Sequence, residues 1–207
     1  MYGRRIRVFL LSRHAESVLN IEDRVNGDPA VPAPLTDHGR DEASLLGLQI
    51  RALPLDACLH TRFSRTLETA QSALDGRNVP LVEEPLFDDV RVGELEGWPI
   101  GDYRAWKREH TRADRFPGGE SLDESARRYA NAYRRLLEQP YECVLVVCHE
   151  IPIRYALNAV GESGDLDGPV HMIPNAAPFL FDDAAIDKAA AGIERLATEA
   201  SRIHSPS

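Results

Sequence analysis

The chain has 207 residues, 43% of them hydrophobic, which suits one domain with a sizeable core, spanning residues 1 to 207. Its formal charge of −9 repels polyanions and so argues against nucleic acid or an anionic membrane surface as a partner; a small anionic substrate would need a local basic pocket. Cys58, Cys143 and Cys148 are an odd number with no close Cys-x-x-Cys pair, which argues against a disulfide framework or a zinc cage and for reduced, buried thiols.

The longest apolar runs, such as Val144 to Cys148, are too short to cross a bilayer. The N-terminal Met1-Tyr2-Gly3-Arg4-Arg5-Ile6 lacks the apolar core of a signal peptide. The expectation is a cytoplasmic protein.

Ile6 to Leu11 is a short apolar segment with β-branched and aromatic members and reads as a buried strand, with His14 just beyond its carboxyl end. Asn20 to Pro34, rich in Asn, Asp, Gly and Pro, reads as a surface loop. Thr36 can cap a helix from Asp37, with Ala43, Leu45, Leu46, Leu48, Ile50 and Leu53 as its core stripe until Pro54. A second strand is expected over Leu55 to Leu59, and a helix over Ser64 to Leu74 with Arg65 at its start.

A short strand is expected at Val79 to Val82, then the acidic, glycine-bearing stretch Phe87 to Gly97, then a short helix over Tyr103 to His110. Ser121-Leu122-Asp123-Glu124 is a capping box opening a helix to about Glu138. Cys143 to Cys148 reads as the clearest buried strand, followed by His149 and a helix over Ile153 to Val160. A last strand at Phe179 to Phe181 precedes an alanine-rich helix, Ala184 to Ile203, which is either ordinary cover or a surface for a homo-oligomer.

Alternating strands and helices imply a three-layer α/β/α sandwich around a mainly parallel sheet with right-handed crossovers. Ligands of such sheets gather at the carboxyl ends of the strands, and His14, Arg65 and His149 each follow a predicted strand. Phosphoryl transfer needs fixed donors around the equatorial oxygens and an in-line nucleophile. Arg13 and Arg65 offer permanently charged donor forks, and His149 a further donor. A neutral imidazole at His14 can attack phosphorus, a form that neighbouring guanidinium groups favour. The leaving alkoxide needs a proton, for which Asp89 leads among Asp88, Asp89, Glu94 and Glu96; no metal or other cofactor is required.

Taken together, these segments resemble the histidine phosphatase superfamily, which also contains the cofactor-dependent phosphoglycerate mutases. Arg13-His14-Ala15-Glu16-Ser17-Val18-Leu19-Asn20 is similar to its Arg-His-Gly-Glu-(Ser/Thr)-x-x-Asn, which implies a covalent phosphohistidine at His14 with Arg13 and Asn20 on the phosphate. Asn26 and Gly27 resemble the pocket loop, implying contact with substrate. Thr61 to Ala70 resembles Ser-x-Leu-x-Arg-Ala-x-Gln-Thr-Ala, which selects Arg65 and leaves Arg62 a rim or structural residue. Phe87 to Gly97 resembles Leu-Arg-Glu-Ile-x-Phe-Gly-x-Trp-Glu-Gly and places Asp89 where the family has its general acid Glu, with Asp88 as the substitute if the register slips. Pro117-Gly118-Gly119-Glu120-Ser121 matches a further segment of the family. Val146 to Arg154 resembles Val-Val-Ser-His-Gly-x-x-Ile-Arg and makes His149 the second pocket histidine. Ala15 and Glu150 stand at Gly-like positions, narrowing the space beside the phosphate and adding a charge.

The resemblance thus implies a metal-independent phosphomonoester hydrolase acting on a small phosphorylated metabolite. One rival is a phosphoglycerate mutase-type phosphotransferase, against which stands Val92, where mutases carry a substrate-binding Tyr. The other is a catalytically impaired phospho-ligand binding protein, suggested by the Asp at 89 and the charge at Glu150.

Overall fold

The computed structural model describes residues 7 to 203, with side chains to Glu199; the first residue expected in the N-terminal strand, Ile6, lies outside them. Five strands, β1 (Val8–Arg13), β2 (Ala57–His60), β3 (Leu81–Glu83), β4 (Cys143–Cys148) and β5 (Pro178–Phe181), form one sheet of order β3-β2-β4-β1-β5. All neighbours are parallel except β5, which runs antiparallel to β1.

The strands divide the core by the period of two that a pleated strand imposes. Phe9 and Leu11 of β1 join Val144, Val146 and Cys148 of β4 on one face, while Leu10 joins Cys143, Leu145 and Val147 on the other. Helices α2 (Asp37–Ile50) and α3 (Ser64–Ala73) cover the second face; α5 (Leu122–Glu138), α6 (Glu150–Val160) and α7 (Asp183–Ile203) cover the first. The expected three-layer sandwich is therefore the observed fold. A four-residue helix, α1 (Val18–Ile21), and the outlying α4 (Ile100–Glu109) complete the set, and α4 packs on a small third cluster around Val92 and Phe116.

Capping follows the sequence. The Gly39 amide donates to Thr36 Oγ1 at 2.9 Å, and the Glu124 amide to Ser121 Oγ at 3.1 Å while the Ser121 amide donates back to Glu124 Oε2 at 2.8 Å. The apolar stripe of α2 is narrower than expected: Ala43, Leu46 and Ile50 are buried, but Leu45 and Leu48 are more than half exposed. They sit three residues apart on a second face that no layer covers, so hydrophobic character alone overstated the core-facing arc. The strand from residue 6 to 11 ends instead at Arg13, because pairing with the fully buried β4 extends it by two residues.

Candidate active site

The register of β1 against β4 sets the site. Arg13 lies opposite Cys148, so His14 and His149 leave the sheet side by side, and the His14 amide donates to the Cys148 carbonyl at 2.9 Å. Their rings stand 5.5 Å apart between centroids. β2 lies on the other side of β4, and the turn after it delivers Arg65 in the first turn of α3. Arg65 Nη2 reaches 3.1 Å from His149 Nδ1. The three basic residues expected to converge are thus in one place: His14 and Arg65 line a cavity of about 520 Å³ together with Arg13 and Asp89, while His149 is buried beside Arg65 and outside the cavity lining.

His14 is 3% exposed. Its Nδ1 donates to the Ala15 carbonyl at 2.7 Å, the tautomer assigned by that acceptor, which leaves Nε2 with its lone pair. The flanking backbone is fixed: the Ala15 amide donates to Thr69 Oγ1 at 2.9 Å and Asn175 Nδ2 to the His14 carbonyl at 2.8 Å. Burial, then the charges of Arg65 and Arg13, hold the imidazole well below its ordinary pKa of 6.5, so it stays neutral.

His149 is fully buried, and burial, then Arg65 and His14, push its pKa down as well. A chain of hydroxyls orders its protons. Thr66 Oγ1 donates to the Phe63 carbonyl at 2.8 Å, so Thr61 Oγ1 donates to Thr66 Oγ1 at 2.9 Å and accepts from His149 Nε2 at 3.0 Å. His149 Nδ1 is left to accept from Arg65. A phosphoryl oxygen in this place would draw a proton onto Nδ1 and gain a second cationic donor.

Arg65 is 4% exposed, and its guanidinium donates to the side chain of Asn26, to the Asn26 carbonyl at 3.2 Å and to Asp89 Oδ2 at 3.3 Å. Burial lowers its pKa to about 10, still charged at neutral pH. Arg13 Nη1 donates to the Ile173 carbonyl at 2.9 Å and lies 3.2 Å from Glu150 Oε2, whereas its buried Nε has no partner among the described residues.

The choice between the two aspartates is made by Arg62 and Arg128. Asp88 is buried and takes the Arg62 amide at 3.1 Å, Nε at 2.7 Å and Nη2 at 2.5 Å, away from the cavity lining. Arg128 holds the backbone of the same turn through the carbonyls of Asp88 at 2.8 Å and Asp89 at 3.1 Å. Asp89 therefore faces the cavity, its Oδ1 accepting from the Val90 amide at 2.9 Å and its Oδ2 lying 3.5 Å from His149 Nδ1. Burial raises its pKa from 3.8, opposed by Arg65, so a proton is held more firmly than on an ordinary carboxylate. Asp88→Asn is expected to leave phosphate release within about threefold, while losing about 1–2 kcal/mol of stability because Arg62 keeps donors without an anion. In a domain of this size that is a fall of about 2–8 °C in Tm by thermal denaturation.

The loop residues divide. Asn20 and Asn26 line the cavity, though Asn26 acts through Arg65 and through Glu96 Oε1, to which its Nδ2 donates at 2.8 Å. Asn20 Oδ1 accepts from the Ser17 amide at 3.0 Å and hydroxyl at 3.1 Å, closing α1. Gly27 is a correction: it does not line the cavity. Its amide donates to Glu96 Oε2 at 2.7 Å, and a Cβ there would come 2.1 Å from the Val90 carbonyl, so glycine is needed for backbone approach. Arg62 takes the structural role. Sequence reasoning gave no role to Thr61, Thr69 or Asn175, whose bonds are set by folding alone, nor to Tyr103, Arg104 and Lys107 on the cavity wall. The last three share one helical face, a spacing visible in the sequence. Among the described residues no three His, Cys, Asp or Glu side chains are grouped to hold a metal ion, and no helix is long and apolar enough to cross a membrane.

Residues 9 to 177 match the family model of the histidine phosphatase superfamily, branch 1. The chain belongs to that superfamily. Over 165 residues it is 30% identical to 2,3-bisphosphoglycerate-dependent phosphoglycerate mutase 2 of Gloeobacter violaceus, covering 72% of this chain and 74% of that one. Among solved structures it resembles the alpha-ribazole phosphatase of Shigella flexneri, with a TM-score of 0.74 and 22% identity over 84% of this chain and 89% of that one. A mycobacterial glucosyl-3-phosphoglycerate phosphatase gives 0.69 at 17% identity, covering 85% and 90%. At these identities the two structures bear on the fold alone.

Proposed function

We propose that this member of the superfamily is a metal-independent hydrolase of small phosphomonoesters, working through phosphohistidine at His14. The observation that carries the reading is the state of His14: buried, neutral, its Nδ1 proton committed to the Ala15 carbonyl and its Nε2 lone pair left beside two guanidinium groups.

In this reading Nε2 attacks phosphorus in line as the ester P–O bond breaks. Arg13, Arg65 and a protonated His149 hold the equatorial oxygens, with Asn20 at the edge. Asp89 gives its proton to the departing alkoxide. The resulting carboxylate then takes a proton from the water that attacks phosphohistidine, and orthophosphate leaves with His14 and Asp89 restored.

Phosphotransfer to a sugar acid is the second reading, favoured by the mutase relative from Gloeobacter violaceus. Against it, Val92 gives the cavity an apolar wall at the position where the mutases carry a tyrosine. Incubating the protein with a monophosphoglycerate and a bisphosphorylated primer separates the two: free phosphate with no isomer is expected, and sustained isomerisation with little phosphate would overturn the choice. Binding of phosphoesters without phosphoprotein or phosphate release across a broad panel would leave only a binding protein.

The pH profile follows from the two shifts. His14 must be unprotonated, and its lowered pKa carries the active form to lower pH than an ordinary imidazole. Asp89 must begin protonated, and its raised pKa carries that form upward from the ordinary carboxylate range. The rate should fall on the acid side as His14 protonates and on the alkaline side as Asp89 ionises, giving a bell-shaped profile. A kcat that climbs steadily above pH 8 would be incompatible with these roles.

A further inference from the structure

One wall of the cavity is a single face of α4. Ile100, Tyr103, Arg104 and Lys107, spaced i, i+3, i+4 and i+7, all line it. The helix is fixed there by Ile100, Tyr103 and Trp106, which pack on the third apolar cluster, and the Tyr103 ring stacks on Phe116 at 5.6 Å.

Six arginine and lysine side chains line the cavity against four carboxylates, in a chain whose formal charge is −9. Four of the six are engaged. Arg13 pairs with Glu150, Arg65 with Asp89, Arg154 with Glu150 and Asp167, and Arg24 donates to the Gly97 carbonyl. Arg104 and Lys107 differ: among the described residues neither has an ion pair or a side-chain hydrogen bond, and Lys107 Nζ lies 5.5 Å from the Tyr103 ring centroid. Arg104 is exposed at the rim, whereas Lys107 is half-buried, and burial lowers its pKa, opposed only in part by the charge of Asp167, which makes no ion pair with it. Asp23 and Glu16 also line the cavity, but neither reaches ion-pair distance of these cations. An ion-pair partner for the two is left to what the cavity holds.

We propose that the leaving group of the substrate carries a second anionic group, a carboxylate or a second phosphoryl group, held by Arg104 and Lys107. The inference rests on the phosphatase reading of the same cavity and narrows its substrate class. Arg104 supplies a planar fork and Lys107 a point charge, a pair suited to either oxyanion. The anion is bound away from the reacting phosphorus and equally in the ground and transition states, so its loss should appear in KM with little change in kcat.

The test compares matched esters that differ in the second anion. 3-Phosphoglycerate is set against glycerol 3-phosphate, 6-phosphogluconate against glucitol 6-phosphate, and fructose 1,6-bisphosphate against fructose 6-phosphate. The first two pairs read a carboxylate at two lengths and the third reads a phosphoryl group. In at least one pair the anionic member is expected to lead by about tenfold or more in kcat/KM, the scale of one charge-assisted hydrogen bond. In Arg104→Gln/Lys107→Met that ratio should fall by about tenfold through KM, and Lys107→Arg with Arg104 intact should restore most of it. A ratio near one in every pair, or a ratio the double variant leaves unchanged, overturns the proposal. Hydrolysis of p-nitrophenyl phosphate, assayed alongside, tells the two failures apart: phosphate released from it with no anionic preference sinks this inference alone, while no release from any ester sinks the phosphatase reading with it.

Discussion

Replacing His14 by alanine is expected to lower turnover by about 10⁴- to 10⁶-fold, the scale of losing a covalent nucleophile. No neighbour can substitute. His149, 5.5 Å away between ring centroids, has Nε2 committed to Thr61, and its Nδ1 faces Arg65. The variant should keep its fold, because the His14 side chain bonds only to the next carbonyl and the backbone is held independently by Thr69 and Asn175. It should also keep affinity for orthophosphate through Arg13 and Arg65. Rapid quenching with a ³²P-labelled ester is the direct measurement: wild type should show acid-labile phosphoprotein and His14→Ala none. Undiminished turnover in the variant would refute the mechanism.

In kcat/KM, which reports the phosphorylation step, Asp89→Asn should cost about 10²- to 10⁴-fold on alkyl phosphates, whose leaving groups need a proton, and far less on p-nitrophenyl phosphate, whose leaving group does not. The second half-reaction still lacks its base, so phosphohistidine should accumulate with p-nitrophenyl phosphate and give a burst of p-nitrophenol. The alkaline limb of the pH profile should vanish with it. Asp89→Glu should retain more activity than Asp89→Asn, since the longer acid sits at the length that the resemblance implies. Equal losses in kcat/KM on both ester types would remove Asp89 from the role of proton donor.

The contrast between Asp88 and Asp89 shows where the sequence stopped. Two adjacent aspartates in an acidic turn carry no local signal of which one faces the cavity. The decision lies with Arg62, Arg128 and Tyr129, distant in sequence by 26, 40 and 41 residues, which bind Asp88 and leave its neighbour facing inward. The same holds for Gly27, for which the resemblance to the family's pocket loop implied substrate contact while the close approach of Val90 gave it a packing role. On α2, Leu45 and Leu48 were read as core by hydrophobicity, but which side of a helix is buried depends on which layers exist to cover it.

By itself the sequence determined the three-layer sandwich, its capped helices, the buried central strand Cys143–Cys148, and the set His14, Arg13, Arg65 and His149. These follow from local periodicity, capping chemistry and motifs contiguous in the chain, which short-range forces express directly. Only the tertiary structure decided which aspartate enters the cavity, which tautomers the two histidines hold, and that Arg104 and Lys107 stand on its wall with no ion pair among the described residues. Each of those depends on hydrogen bonds, burial and charge between residues far apart in sequence, and such contacts have no value until the sheet order brings them together.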